Sequence, residues 1–255
     1  MKIVVCYKLV PSAESLTVKS GRQLDFGAAE WEIGPYDLNA VEAAARLKEA
    51  SADNSLIALT FGGDIIENSK LRKGILSRGP QELVAVKAAD AGQADGYRTA
   101  AILAEAIRKI GDVDLVLFGE GSGDMYAQQT GVLVGALLGW TTVNAVNSIR
   151  ESDGKLEVGR NLEDSVELLE LSLPAAVSVS SDICVPRLAS MKDILAAGKK
   201  PFAVWSAEEV CAQAENKTVV DSVLAPEQTE RACIVKPADD EAHIEAVVNQ
   251  LRSFI

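Results

Sequence analysis

The segment VDLVLF-GEGSGD-MYAQQTGVLVGALLG, residues 113 to 139, decides how the rest of this chain is read. Val113 to Phe118 is apolar and β-branched, as a strand buried on both faces of a parallel sheet must be. The run breaks at Gly119, glycine recurs at Gly121 and Gly123, and Asp124 opens a stretch where Ala127, Val134, Leu137 and Leu138 fall at roughly helical spacing. Strand, glycine-rich turn and helix start in that order make an anion site. The first amides of a helix lack intrahelical acceptors, the dipole is positive there, and glycine lets the backbone approach a phosphate. The same residues would also serve a tight strand-to-helix turn that binds nothing.

The glycine pattern also excludes. Gly119-Glu120-Gly121-Ser122-Gly123-Asp124 is GxGxG followed by Asp, so the third glycine of GxGxxG is misplaced. It follows the fourth strand of the alternation, whereas the dinucleotide fingerprint follows the first. No GxxxxGK[ST] occurs, so a P-loop is absent. The loop carries Glu120 and Asp124 and no cation, so a phosphate here is held mainly by backbone amides. Three or four such bonds at roughly 1.5–3 kcal/mol each hold a nucleotide once ordering costs are subtracted.

A chain of 255 residues with 48% hydrophobic content buries a full core. No apolar run approaches a membrane span, and Lys8 cuts the first one short, so a soluble, cytoplasmic protein is expected. Formal charge is −12, from 37 acidic and 25 basic residues, which argues against nucleic acid or an anionic membrane as partner. Cys6, Cys184, Cys211 and Cys233 lie far apart without a CxxC, and His243 is the one histidine, so no metal site is expected. With no histidine base and no nucleophile elbow, the chain is not equipped for bond chemistry of its own.

Strands and helices alternate to about residue 139. Strands are expected over 2–7, 56–61, 82–86 and 113–118, and helices over 36–50, 65–76 and 96–110, the last with Asp95 as N-cap. Residues 12–33 form an excursion with a hairpin around Ser20-Gly21. The 36–50 helix puts Leu38, Val41, Ala45 and Leu47 near one face and Glu42, Arg46 and Glu49 largely elsewhere. This predicts an α/β fold, a parallel sheet with helices on both faces. The ligand crevice lies beyond the strand ends, where Cys6 to Leu9, Phe61 to Gly63 and Gly119 to Asp124 converge. An antiparallel hairpin is expected at about 143–180, then a loop from 181 and a short helix near 190–197. From residue 199 only 241–255 reads as regular, an amphipathic helix, so 199–255 is taken as an arm laid over a partner.

The chain resembles the β subunit of electron transfer flavoproteins, closest to the branch associated with nitrogen fixation and carnitine metabolism. The resemblance covers essentially the whole chain. It is carried by KIVVCYKLVP at the start, IGPYDLNAVEAAARLKE at 33–49, LRKGILSRGPQEL at 71–83, FGEGSGDMYAQQTG at 118–131 and LPAAVSVSSDICVPRLASMKDILAAGKKP at 173–201. It implies an adenine-nucleotide α-hydrolase-like sheet in domain 1–198 and an arm packing on an α subunit that carries the redox-active FAD. It also implies AMP in this chain, or a second FAD in electron-bifurcating members. The nucleotide would meet Cys6, Gly34, Pro35, Tyr36, Asp37 and Phe61. It would also meet Gly119, Glu120, Gly121, Ser122, Gly123, Asp124, Ala127, Gln128, Gln129 and Thr130. Asp124 also reads as a helix cap. The loop 183–192 matches the family's partner-recognition loop, with Met191 as the protruding docking residue and Arg187 beside it. Met191 otherwise reads as core of the short helix.

Three departures from the family pattern bear on function. Gly34 stands where Asn is frequent, Asn161 where Glu is common after Arg160, and Val132 where bifurcating members usually have Pro. The last favours AMP. The resemblance therefore implies an electron carrier subunit without catalytic residues, docking an acyl-CoA dehydrogenase or reductase, with a quinone oxidoreductase as a further partner. The alternatives are a bifurcating subunit whose second FAD accepts hydride from NADH, and a stand-alone adenine-nucleotide-binding regulator.

Overall fold

Alternation along the first strand sets the layers. In the computed structural model, which describes residues 1–152, 154–210, 214–227 and 241–252, Ile3 and Val5 enter one hydrophobic core while Val4 and Cys6 enter another. A strand with a side-chain period of two and helices on both sides must do this. The elements run β1 (Lys2–Cys6), β2 (Leu9–Pro11), β3 (Thr17–Val18), β4 (Leu24–Asp25), β5 (Trp31–Ile33) and α1 (Pro35–Ala50). Next come β6 (Ser55–Gly62), α2 (Ser69–Leu76), β7 (Glu82–Lys87), α3 (Gly96–Ile110), β8 (Leu115–Gly119) and α4 (Thr130–Leu138). The remainder is β9 (Thr141–Ser152), β10 (Lys155–Asn161), β11 (Val166–Leu171), β12 (Ala175–Val179), α5 (Met191–Ala197), β13 (Phe202–Ser206) and α6 (Glu241–Arg252).

One nine-stranded sheet runs β11-β10-β9-β12-β8-β1-β6-β7-β13. β9, β12, β8, β1, β6, β7 and β13 pair in parallel, and β10 pairs antiparallel with β9 and β11. The chain steps outward from β1 to β6 and β7, then returns through α3 to β8 on the other side of β1. Strand order therefore reverses between β1 and β8, the place where open α/β sheets bind ligands. Residues of α1, α2 and α5 close one core, and those of α3 and α4 close the other.

Several expectations need correction. The helix expected over 65–76 is split: a 3₁₀ turn at Asp64–Glu67 ends before Asn68, whose side chain accepts from the amides of Lys70 (2.9 Å) and Leu71 (3.2 Å) and so starts α2 afresh. The helix expected to open at Asp124 begins at Thr130, because Tyr126 and Gln128 hold positive φ, 43° and 56°, which no helix tolerates. The hairpin near 143–180 is a wing of the main sheet, and β12 inserts between β9 and β8, buried along its length. Glu42 is buried rather than solvated. Regular structure also returns before residue 241, since β13 extends the sheet at its far edge on β7. The expected hairpin around Ser20-Gly21 is present as β3 paired with β4. The turn residue Asp153, Cys211, Cys233, residues 228–240 and the last three residues of the expected C-terminal helix lie outside the described residues.

The arm leaves the sheet and is clipped to the body twice. The Asp95 carboxylate accepts from Arg98 N (2.8 Å), capping α3. It also accepts from Lys217 N (2.6 Å) and Thr218 N (2.8 Å). Farther on, Ala225 N donates to Arg22 O (2.8 Å), and Arg22 pairs with Glu227 at 3.2 Å.

Candidate functional site: the crevice between the first and eighth strands

Close backbone approach builds the crevice. A Cβ on Gly119 would sit 2.6 Å from Tyr36 C, 2.7 Å from Asp37 Oδ1 and 2.8 Å from Asp37 N, so only glycine lets the end of β8 lie against the start of α1. A Cβ on Gly123 would come within 3.2 Å of Pro35, and one on Gly121 within 2.7 Å of the Tyr126 ring. Tyr126 turns back over this floor and packs on Tyr36, with ring centroids 5.1 Å apart. Two distant segments, Gly34 to Asp37 and Gly119 to Tyr126, which the family resemblance puts at one site, are thereby joined.

Asp37 ties the segments together. Its Oδ2 accepts the Lys8 amide at 2.7 Å, and the Gly119 amide donates to the same carboxylate. The residue is only 7% exposed, and burial pushes its carboxyl up to about 7, against the pull of those two amides and of the Lys8 charge. Burial, and then the Asp37 charge, push the Cys6 thiol well up; Cys6 is a buried core residue at the strand end. Phe61 packs against the same core as Cys6.

The loop does receive a cation, from outside itself. Lys8 Nζ reaches Asp124 at 2.6 Å and 2.8 Å. Asp124 is therefore no helix cap: burial pushes its carboxyl up, but the Lys8 and Ser122 bonds outweigh this and hold it below its ordinary value. Lys8 lies within the Cys6–Leu9 strand end expected to line the crevice, but sequence reasoning did not carry its charge across to the glycine-rich loop.

Two helix N-termini without a side-chain cap open on this rim, and a third, already capped by Asp95, lies beside them. Gly34 precedes α1 and Gln129 precedes α4, neither with a side-chain cap, so amides there remain open to an acceptor. The start of α3 abuts that of α4: a Cβ on Gly96 would lie 3.1 Å from Gln129 Oε1. Thr130 is half-buried, and Ala127 and Gln128 are exposed on the loop. Non-glycine positive φ at Tyr126 and Gln128 is backbone strain of the kind that concentrates at functional sites. Helix starts without side-chain caps, glycines and helix dipoles can receive an anion near the Tyr36–Tyr126 pair. Among the described residues no group of His, Cys, Asp or Glu is placed to hold a metal ion.

A family model described as the electron transfer flavoprotein domain matches residues 24–210. The chain belongs to the electron transfer flavoprotein family. Proteins of this family are electron carriers rather than catalysts, working as a heterodimer with a partner subunit and with dehydrogenases as partners. The match includes both segments of the crevice and the loop that follows β12. In this electron transfer flavoprotein domain, that loop and α5 project apolar side chains outward. Val185 is 83% exposed, Leu188 92%, Met191 74% and Leu195 72%. Met191 thus belongs to no core of its own chain. The family resemblance singled Met191 out; Val185 and Leu188 were missed because they lie in an irregular loop that carries no periodic signal. Arg187 lies on the same loop with its guanidinium turned to Glu42 and Glu49. No helix among the described residues is long and apolar enough to cross a membrane.

Proposed function

We propose that this chain is the β subunit of a heterodimeric electron transfer flavoprotein of the nitrogen-fixation and carnitine type. It binds AMP in a structural role and docks an acyl-CoA dehydrogenase or reductase in the cytoplasm. Electrons pass through FAD held mainly by the α subunit, with a quinone oxidoreductase as a further partner. The observation that carries this reading is the convergence of Gly34–Asp37 with Gly119–Asp124 at the point where strand order reverses.

The amides at the start of α4 and the glycines of the loop hold the phosphate. Ser122, Gln128, Gln129 and Thr130 orient ribose and phosphate, and Tyr36 and Tyr126 flank the nucleotide. No acid, base or nucleophile is needed from this chain, because the flavin supplies the redox chemistry. Val185, Leu188, Met191 and Leu195 form the docking surface, and the exposed apolar side chains Ile244, Val247 and Leu251 of α6 belong to the contact with the α subunit.

The test is a count of nucleotide and flavin released on denaturing the chain purified with its α partner. One FAD and one AMP per heterodimer supports the reading. Two FAD without AMP replaces it with the bifurcating form, in which the second flavin accepts hydride from NADH.

A further inference from the structure

The loop that presents the apolar side chains is itself irregular, yet one stripe of α1 holds it. Asn39, Glu42, Arg46 and Glu49 follow each other at three- and four-residue steps along that helix. Asn39 Nδ2 donates to Ser181 O (3.1 Å) and Cys184 O (2.7 Å), and the Cys184 thiol meets Asn39 O at 3.4 Å. Glu42, 4% exposed, accepts from Arg187 Nε at 2.6 Å, from the Arg187 amide at 3.2 Å and from Arg46 Nε at 2.7 Å. The far side of the same guanidinium donates to Glu49, 2.5 Å to Oε1 and 3.1 Å to Oε2. Burial pushes the Glu42 carboxyl up, and the two arginines more than offset it, so the charge stays in place.

A planar guanidinium that spans two carboxylates fixes both the position and the rotation of the chain that carries it. Arg187 stands between Val185 and Leu188, two of the most exposed apolar residues of the protein. Its own carboxylates already occupy it, which leaves it little to offer an outside partner.

From this geometry we infer that Arg187 is a positioning residue: its bridge to Glu42 and Glu49 locks loop 181–190 onto α1 so that Val185, Leu188 and Met191 are presented in one preformed arrangement. The inference rests on the proposed docking function, which it deepens by separating the residues that touch the partner from the one that aims them. Preorganisation of this kind improves association by removing the cost of ordering the loop at the moment of docking.

Lysine at 187 keeps the charge and cannot span both carboxylates, so Arg187→Lys separates bracing from a direct charge contact. The protein used is the full heterodimer, assayed with an acyl-CoA dehydrogenase that reduces the wild type. In Arg187→Lys and Arg187→Gln, amide hydrogen exchange at residues 182–189 should rise about tenfold or more. The apparent KM for the flavoprotein should rise by a similar factor at unchanged kcat, with nucleotide content as in the wild type. Glu49→Gln should give a smaller shift of the same kind. Wild-type exchange and KM in Arg187→Lys, with a raised KM only in Arg187→Gln, would overturn the brace and make Arg187 a direct charge contact. If the wild type is reduced by no acyl-CoA dehydrogenase while the exchange result holds, the docking reading fails and the brace stands.

Discussion

Asp37 offers a prediction whose size follows from its surroundings. An aspartate in an unfolded chain titrates near pH 4. Within the fold, burial raises Asp37 to about 7. Between those values the folded state holds a proton that the unfolded state has released, so stability falls as pH rises from about 4 to about 7 and the contribution is flat above that. The two titration curves together give a loss of about 2–3 kcal/mol between roughly pH 5 and pH 8. Asp37→Asn removes the titration and keeps one acceptor for the Lys8 or Gly119 amide. The other amide then faces an NH₂ group, at a cost of about 1–3 kcal/mol that does not vary with pH. Whatever its offset at pH 5, the variant should therefore gain about 2–3 kcal/mol on the wild type between about pH 5 and pH 8. The assay is urea unfolding of both proteins across about pH 5 to 8, comparing their difference at each pH so that shared titrations cancel. A difference constant over that range would refute the reasoning, since it would mean that Asp37 ionises in the fold as freely as in the unfolded chain.

The remaining predictions concern packing, capping, the loop and docking. Gly119→Ala should cost about 1–3 kcal/mol by thermal unfolding, because its methyl meets backbone atoms of Tyr36 and Asp37 that cannot swing aside. Asn68→Ala should cost about 1 kcal/mol through loss of the α2 cap, read from the same melting curves. Lys8→Met should leave Asp124 without its cation, raising that carboxyl and speeding amide exchange across residues 120–126. Met191→Ala and Leu188→Ala should leave nucleotide content unchanged and slow electron exchange with the dehydrogenase, so an unchanged rate in both removes the docking assignment.

How much was legible in the sequence depended on the range of the forces involved. The parallel strands and α1 and α3 announced themselves through apolar runs and helical spacing, and Asp95 caps α3 as its side-chain chemistry suggests. The reversal of strand order between β1 and β8 was legible too, because the alternation of strands and helices locates a switch point without knowledge of side-chain contacts. What escaped were effects settled by tertiary partners. Glu42 reads as a solvated charge until Arg187, far along the chain, is folded against it. Asp124 reads as a cap until Lys8 draws it aside and the loop runs on to Thr130. β13 is short and lies among charged and proline-rich residues, so its pairing with β7 leaves little trace in local composition.

The clipping of the arm has a kinetic consequence. Val219, Val220 and Val223 stand exposed in a bow of a few residues held at Asp95 on one side and at Arg22 on the other. A free tail would have to be caught from a broad ensemble, and each residue fixed on capture would subtract from affinity. A bow pinned at both ends has already surrendered most of that freedom in the lone subunit. Any partner that reads these valines therefore meets a surface rather than a tether, and association should proceed at the rate of rigid bodies finding their orientation.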